Sequence, residues 1–226
     1  MSNLYIVATP IGNLKDITDR AKNIFSEVDV ILCEDTRVSQ KLLAYLNISK
    51  TLISYHQHSK LNKVDQIIAL LKDGKNIALI SDAGTPGISD PGNMLVKEVS
   101  DKLSEVKIIP IPGASAMISI ASVSGFSMDR FIFMGFPPVK NKRQKYFKEM
   151  LSYNMPVIFY ESCHRILKTL NDLQLLDSDA DIVVGRELTK QFETIHRGKI
   201  LSVIEKLKHD TIKGEFSIVI KPSKNL

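Results

Sequence analysis

Apolar positions along the chain fall into short runs separated by longer amphipathic stretches, alternating almost from the first residue. LYIVAT (residues 4–9), DVILCE (29–34), TLISY (51–55), NIALIS (76–81) and VKIIPIPG (106–113) are rich in Val, Ile and Leu and read as strands. Between them, DITDRAKNIFSEV places Ile17, Ala21, Ile24 and Val28 on one helical face, with Asp16 or Thr18 as its cap. SQKLLAYL is helical. SKLNKVDQIIALLKDG sets Leu61, Val64, Ile68 and Leu71 on one stripe and stops at Gly74. PGNMLVKEVSDKL starts a helix with Pro91 near its first turn, and ASAMISIASVS reads as a helix of small residues.

The alternation pauses at SGFSMDR (124–130) and then resumes. FIFMGF, a basic helix, PVIFYE, the helix CHRILKTLNDLQ, DIVVGRE, a stretch around GKILSVIEKL, and EFSIVIK follow in turn. The pattern predicts an α/β protein of two α/β domains, 1–124 and 125–226. The first has a mostly parallel sheet and the second a mixed one. No repeat is visible, and the tail PSKNL is expected to fray.

Composition narrows this picture modestly. Of 226 residues, 44% are hydrophobic and 24% charged, as in ordinary globular domains. No apolar run is long enough for a membrane span, and the N-terminus lacks the features of a signal peptide. Cys33 and Cys163 are the only cysteines, which favours a reducing, cytoplasmic setting. His56 and His58 do not have zinc spacing, and no metal is expected. The net charge of +5 is compatible with a nucleic-acid partner. KNKRQKYFK (140–148), with cations around Tyr146 and Phe147, is either an RNA-facing patch or a solvated helix face.

Candidate chemistry lies where strands end. SDAGTPGISDPG (81–92) is too long and too broken by Gly and Pro for a plain connector, and reads as a ligand loop. Neither a P-loop nor a GxGxxG fingerprint is present, so bare backbone near a flat or polar ligand fits better than a phosphate cradle. Asp82 is a ligand contact or a loop cap; Asp90 is placed to cap the following helix. CEDTR groups Glu34, Asp35 and Arg37, and Arg37 has either acid within local reach. YESCHR groups Glu161, His164 and Arg165 without a hydrolase elbow. GRELTKQFETIHRG gathers Arg186, Glu187, Lys190, Glu193, His196 and Arg197 in a substrate-facing rim or a solvated loop.

Together, LYIVATPIGNLKDIT, CEDTR, SDAGTPGISDPG, PGASA, YESCHRI, VGRELTKQFET and GEFSIVI resemble the tetrapyrrole methylase superfamily. Within it the chain is similar to the branch that methylates a cytidine 2′-hydroxyl of 16S ribosomal RNA in the small subunit. The resemblance implies a homodimer with S-adenosylmethionine in a cleft between the two domains. It places the cofactor against Pro10, the segment Asp82, Ala83, Gly84 and Thr85 with Ile88, and Ser115 and Ala116. From the second domain it adds Tyr160, Glu161, Leu188, Gly214 and Glu215. Cys163 stands where that family has proline, and many relatives carry a helical extension beyond GEFSIVIKP. Methyl transfer to a hydroxyl calls for a general base, for which Glu34, Asp35, Glu187 and Lys190 are the candidates. Arg37, Lys140, Lys142, Arg143, Arg165 and Arg186 are the candidate RNA contacts. The competing readings are a methyltransferase of the same fold for a tetrapyrrole or a protein side chain, and a non-catalytic RNA-binding assembly module.

Overall fold

The computed structural model describes residues 2–56, 61–90 and 92–223. His58, Pro91, the Leu61 side chain and the end of the PSKNL tail lie outside the described set. The chain forms two compact units, Met1–Ser115 and Ala116–Leu226.

In the first unit, strands β1 (Asn3–Val7), β2 (Val30–Cys33), β3 (Thr51–Ser54), β4 (Ile77–Leu79) and β5 (Lys107–Ile111) form one sheet in the order β3-β2-β4-β1-β5. Every pairing is parallel. Helices α1 (Asp19–Glu27), α2 (Thr36–Tyr45), α3 (Leu61–Lys72) and α4 (Asn93–Lys102) connect the strands. Strand β2 shows why its sequence is an unbroken apolar run. Ile31 and Cys33 pack with Ala21, Ile24 and Phe25 of α1 and Leu42 and Leu43 of α2. Val30 and Leu32 pack on the other face with Val64, Ile67 and Leu71 of α3 and Leu95 and Val99 of α4. Both faces of a parallel sheet are thus covered, and polar alternation has no place in it. A fully buried side chain such as Phe25 contributes roughly 1.5–3 kcal/mol. Thr18, the second of the two caps considered, holds α1 by accepting from the Ala21 N–H at 3.1 Å.

The second unit opens with α5 (Ala116–Ser122), followed by β6 (Ile132–Phe133), α6 (Arg143–Ser152), β7 (Val157–Ser162) and α7 (Ile166–Leu176). It continues with β8 (Asp181–Arg186), β9 (Thr194–Lys199), α8 (Ile200–Lys208) and β10 (Glu215–Lys221). The sheet order is β6-β7-β10-β8-β9; β6 and β7 are parallel and the other pairs antiparallel, so the sheet is mixed. Helices α6, α7 and α8 bury Phe147, Met150, Leu170, Leu173, Val203 and Leu207 against Val157, Phe159, Ile182 and Ile218. Helix α5 belongs to this unit, although the pause in the pattern comes only after it. Gly185 accounts for its close seat: a Cβ there would stand 2.7 Å from Ile120 Cδ1 and 2.9 Å from Leu188 Cδ2. Residues 194–199 form an edge strand, where the sequence suggested only rim or loop. TIHRGK lacks apolar alternation because an edge strand with one solvated side does not need it.

Candidate active site

The carboxyl ends of β1, β4 and β5 are tied together. Beyond the parallel sheet, Thr9 and Gly84 form a two-way backbone bridge, at 2.9 Å from the Thr9 N–H and 3.1 Å from the Gly84 N–H. Thr9 Oγ1 also donates to the Ser81 carbonyl at 3.2 Å, and the Ala8 N–H donates to Ile111 at 3.1 Å. Gly84 has φ +79°, a conformation that side chains rarely adopt. Gly113 lies so close to β1 that a Cβ would be 2.9 Å from that of Ala8. Of the expected cofactor contacts, Pro10 and Gly84 are buried and Thr85 half-buried, while Asp82, Ala83 and Ile88 are exposed. Ser115 follows β5 on the same edge. Here a strand-end loop from each of three adjacent strands presents backbone with few bulky side chains, as at ligand sites of open α/β sheets.

Acidic groups border this edge. Glu34, at the end of β2, is half-buried, and its Oε1 has no hydrogen-bond partner. Burial pushes its carboxyl up to about 7, with Asp90 and then Asp82 adding repulsion. Burial also raises Asp90, to about 6, against a hydrogen bond from Ser81 and with Asp82 adding to the rise. Asp90 does not cap α4: Gly92 holds that position, with no side-chain cap at all. Asp82 Oδ1 accepts from the Asp35 N–H at 3.2 Å. Asp35 itself is the cap of α2, accepting from the Arg37 N–H at 2.8 Å. Its carboxylate also takes the Arg37 guanidinium at 2.6 Å, and these bonds hold it down at about 2. Arg37 stays exposed despite this pairing.

In the second unit the GRELTK turn is unusual in its backbone. Glu187 and Thr189 have φ of +51° and +67°, and strain of this kind gathers at functional turns. Lys190 Nζ donates to Glu187 Oε1 and Glu215 Oε2, each at 2.9 Å. Burial opposes its charge, but the two carboxylates outweigh that and raise its pKa. Burial likewise works against the Glu187 charge, and Lys190 with the Glu215 N–H overcomes it to lower that group. A lysine base needs a depressed pKa, so this arrangement leaves Lys190 a cation rather than a proton acceptor. Gly214, at φ +95°, is required because the Glu187 carboxylate fills the space of a Cβ. Leu188 is buried and Glu215 exposed.

Three arginines expected on an RNA surface are instead committed inside the unit. Arg143 is 7% exposed; it donates to Asp172 at 3.0 Å, to Thr169 at 2.6 Å and to the Pro138 carbonyl at 3.3 Å. Arg165 pairs with Glu161 at 2.7 Å and donates to the Pro137 carbonyl at 3.0 Å. Arg186, also buried, holds the carbonyls of Lys213 and Phe192. Glu161, expected at the cofactor, turns its carboxylate inward, accepting from Ser162 N–H, Arg165 and Thr169. In the basic segment Phe147 is core, and Tyr146 is half-buried with its hydroxyl on the Met134 carbonyl. Lys140 and Lys142 are exposed as expected. The exposed aromatic of this region is Phe136, in the MGFPP turn that follows β6. Its placement between Gly135 and the pair Pro137–Pro138 marks it as a loop residue.

The model of the family "Tetrapyrrole (Corrin/Porphyrin) Methylases" matches residues 3–203. The chain belongs to the tetrapyrrole methylase family. Among its relatives, the protein named ribosomal RNA small subunit methyltransferase I in Synechocystis sp. is 46% identical, over 97% of this chain and 79% of its own length. The Thermotoga maritima protein of the same name is 41% identical, over 97% of this chain and 98% of its own. Among solved structures, a diphthine synthase shares the fold at a TM-score of 0.76, covering 100% of this chain and 91% of its own, with 15% identity. Membership in this methylase family makes the chain a methyltransferase and implies a methyl donor. Among the described residues no helix is long and apolar enough to cross a membrane.

Proposed function

We propose that this protein uses S-adenosylmethionine to methylate a cytidine 2′-hydroxyl in the 16S ribosomal RNA of the small subunit. The observation that carries the reading is the shared name of relatives 41–46% identical across nearly the whole chain. The donor is a sulfonium cation with a flat base, and when bound it supplies an electrophilic methyl group. The residues present suit it. Exposed backbone at 82–83 and 112–113 admits close approach, and Glu34, Asp82 and Asp90 supply negative charge near that edge. Pro10, the 82–85 segment and Ser115 are the first unit's cofactor contacts in this reading.

Glu34 is the general base. Glu34 would take the proton of the ribose hydroxyl as that oxygen accepts the methyl group that the bound donor would supply. Asp35 is held by Arg37, and Glu187 and Lys190 by each other, so Glu34 is the candidate without an ion-pair partner among the described residues. A base whose pKa lies near the working pH is also the most effective. The enzyme works in this reading as a cytoplasmic homodimer.

The test offers labelled S-adenosylmethionine with naked 16S RNA, assembled small subunits, a tetrapyrrole and a protein acceptor in parallel. Label in the ribosomal RNA is expected; label confined to the tetrapyrrole or the protein would overturn the proposal, and cofactor binding without any transfer would leave a binding module. Among the surface cations, Lys142→Glu with Lys145→Glu is expected to weaken RNA binding. The double variant should also flatten its dependence on salt, by about 0.7–0.9 in log–log slope for each phosphate it no longer neutralises. Equal slopes for variant and wild type would make the segment a solvated face.

A further inference from the structure

Phe136 is 53% exposed on the loop that follows β6, and its surroundings hold it still. Three side chains fix the carbonyls of this loop: Tyr146 Oη donates to Met134 at 3.0 Å, Arg165 to Pro137 at 3.0 Å and Arg143 to Pro138 at 3.3 Å. The backbone adds its own tie, from the Tyr160 N–H to the Gly135 carbonyl at 3.0 Å. Gly135, at φ +64°, turns the chain so that Phe136 projects. Behind it, the Tyr160 ring stands 5.4 Å away, and Phe133 packs edge-on against Tyr160 at 5.0 Å. The ring is therefore backed by aromatic rings on one side and open to water on another, in a loop clamped by buried ion pairs.

What distinguishes Phe136 from other exposed apolar side chains is the buried network that keeps its loop in place. The next residues supply the other half of a nucleic-acid surface. Lys140, Lys142, Lys145 and Lys148 are all exposed, and among the described residues none of them is paired with a carboxylate. Lys145 and Lys148 lie three apart on α6, on one side of the helix. Lys142 sits just before that helix with φ +64°, so its backbone too is specially set.

We propose that Phe136, backed by Tyr160 and Phe133, is a stacking platform for an unpaired RNA base, with the Lys140–Lys148 segment holding the adjoining phosphates. Single-stranded RNA is recognised by this combination, since every base has a face to stack and every linkage a charge to neutralise. The bulk of the platform is pre-ordered, so little conformational freedom is lost when a base docks. The proposal rests on an RNA substrate but names a different element of it: an unpaired base held on the second unit.

The test uses the full chain and a labelled single-stranded RNA of about a dozen nucleotides, beside the same sequence as a duplex. Phe136→Ala is expected to weaken single-strand binding about 5- to 150-fold while leaving the salt slope unchanged, because no charge is removed. Phe136→Trp is expected to retain binding, and duplex affinity is expected to respond little to either change. S-adenosylmethionine affinity, measured by calorimetry, should be the same in all three proteins, and a shared melting temperature confirms that they are folded. Affinity within about twofold of wild type in Phe136→Ala would overturn the platform. So would a loss of cofactor affinity matching the loss of RNA affinity, since the ring would then serve the cofactor, and so would a wild type that binds neither RNA. If the wild type binds RNA through Phe136 yet methylates only a tetrapyrrole, the platform stands and the functional proposal falls.

Discussion

Replacing Glu34 with glutamine is expected to slow methyl transfer by about 10²- to 10⁴-fold, the usual contribution of a general base. The substitution keeps the shape of the side chain and removes its ability to take a proton. In the wild type the rate should rise with pH through about 7 and then level, as Glu34 loses its proton; in the variant that rise should vanish. Stability should move the other way. The folded-state carboxyl is raised from 4.5 to about 7, so between those values the native state holds a proton that the unfolded chain has released. The native state is thus favoured most below 4.5, and that advantage is lost as pH rises through about 7. Asp90, raised from 3.8 to about 6, adds a second loss of the same sign at lower pH, and the variant keeps it. Urea melts at pH 5 and pH 8 should therefore show Glu34→Gln losing less stability than wild type across that interval. A variant that transfers methyl groups at the wild-type rate at pH 8 would remove Glu34 as the base.

Glu161→Ala is expected to destabilise the protein by about 3–5 kcal/mol, because it breaks a buried ion pair from one side only. Glu161 is 1% exposed, and its carboxylate accepts from Ser162, Arg165 and Thr169, with Arg143 3.8 Å away. Without it Arg165 keeps no carboxylate partner among the described residues and Arg143 keeps only Asp172, in a place from which water is largely excluded. The melting temperature should fall by roughly 6–20 °C for a chain of this size. The loss should be felt beyond stability, since Arg143 and Arg165 also hold the Pro137 and Pro138 carbonyls. A melting temperature close to wild type would mean that the network contributes little to the fold. Glu161→Gln keeps the shape and an acceptor oxygen but not the charge, and is expected to cost less.

The strand–helix alternation was legible because a parallel sheet with both faces covered writes long apolar runs into its strands, as β2 does. The loops were legible because Gly84, Gly87 and Gly92 adopt positive φ, which only a Gly-rich stretch supports at low cost. What escaped the sequence depended on partners distant in the chain. Arg143 sits in a run of lysines that looks wholly solvated, yet its carboxylate partner Asp172 lies on the next helix. Arg186 is held by carbonyls rather than acids, which leaves no mark in a charge pattern. The choice among Glu34, Asp35, Glu187 and Lys190 likewise turned on which carboxylates were already occupied. Edge strand β9 was hidden by its polar composition, and the extent of the second unit by a helix that packs over a single glycine.

Strand β1 has a consequence for how the protein is made. Its neighbours are β4 and β5, so Leu4 pairs with Ile77 on one side and with Ile108 on the other. At translation speeds of about 5–20 residues per second, roughly 5–20 s separate the emergence of β1 from that of β5. Until β4 has emerged, β1 has no partner in the sheet and the Thr9–Gly84 bridge cannot form. Completion of the first unit therefore waits on β5, and its nascent chain is exposed to chaperones for much of its own synthesis.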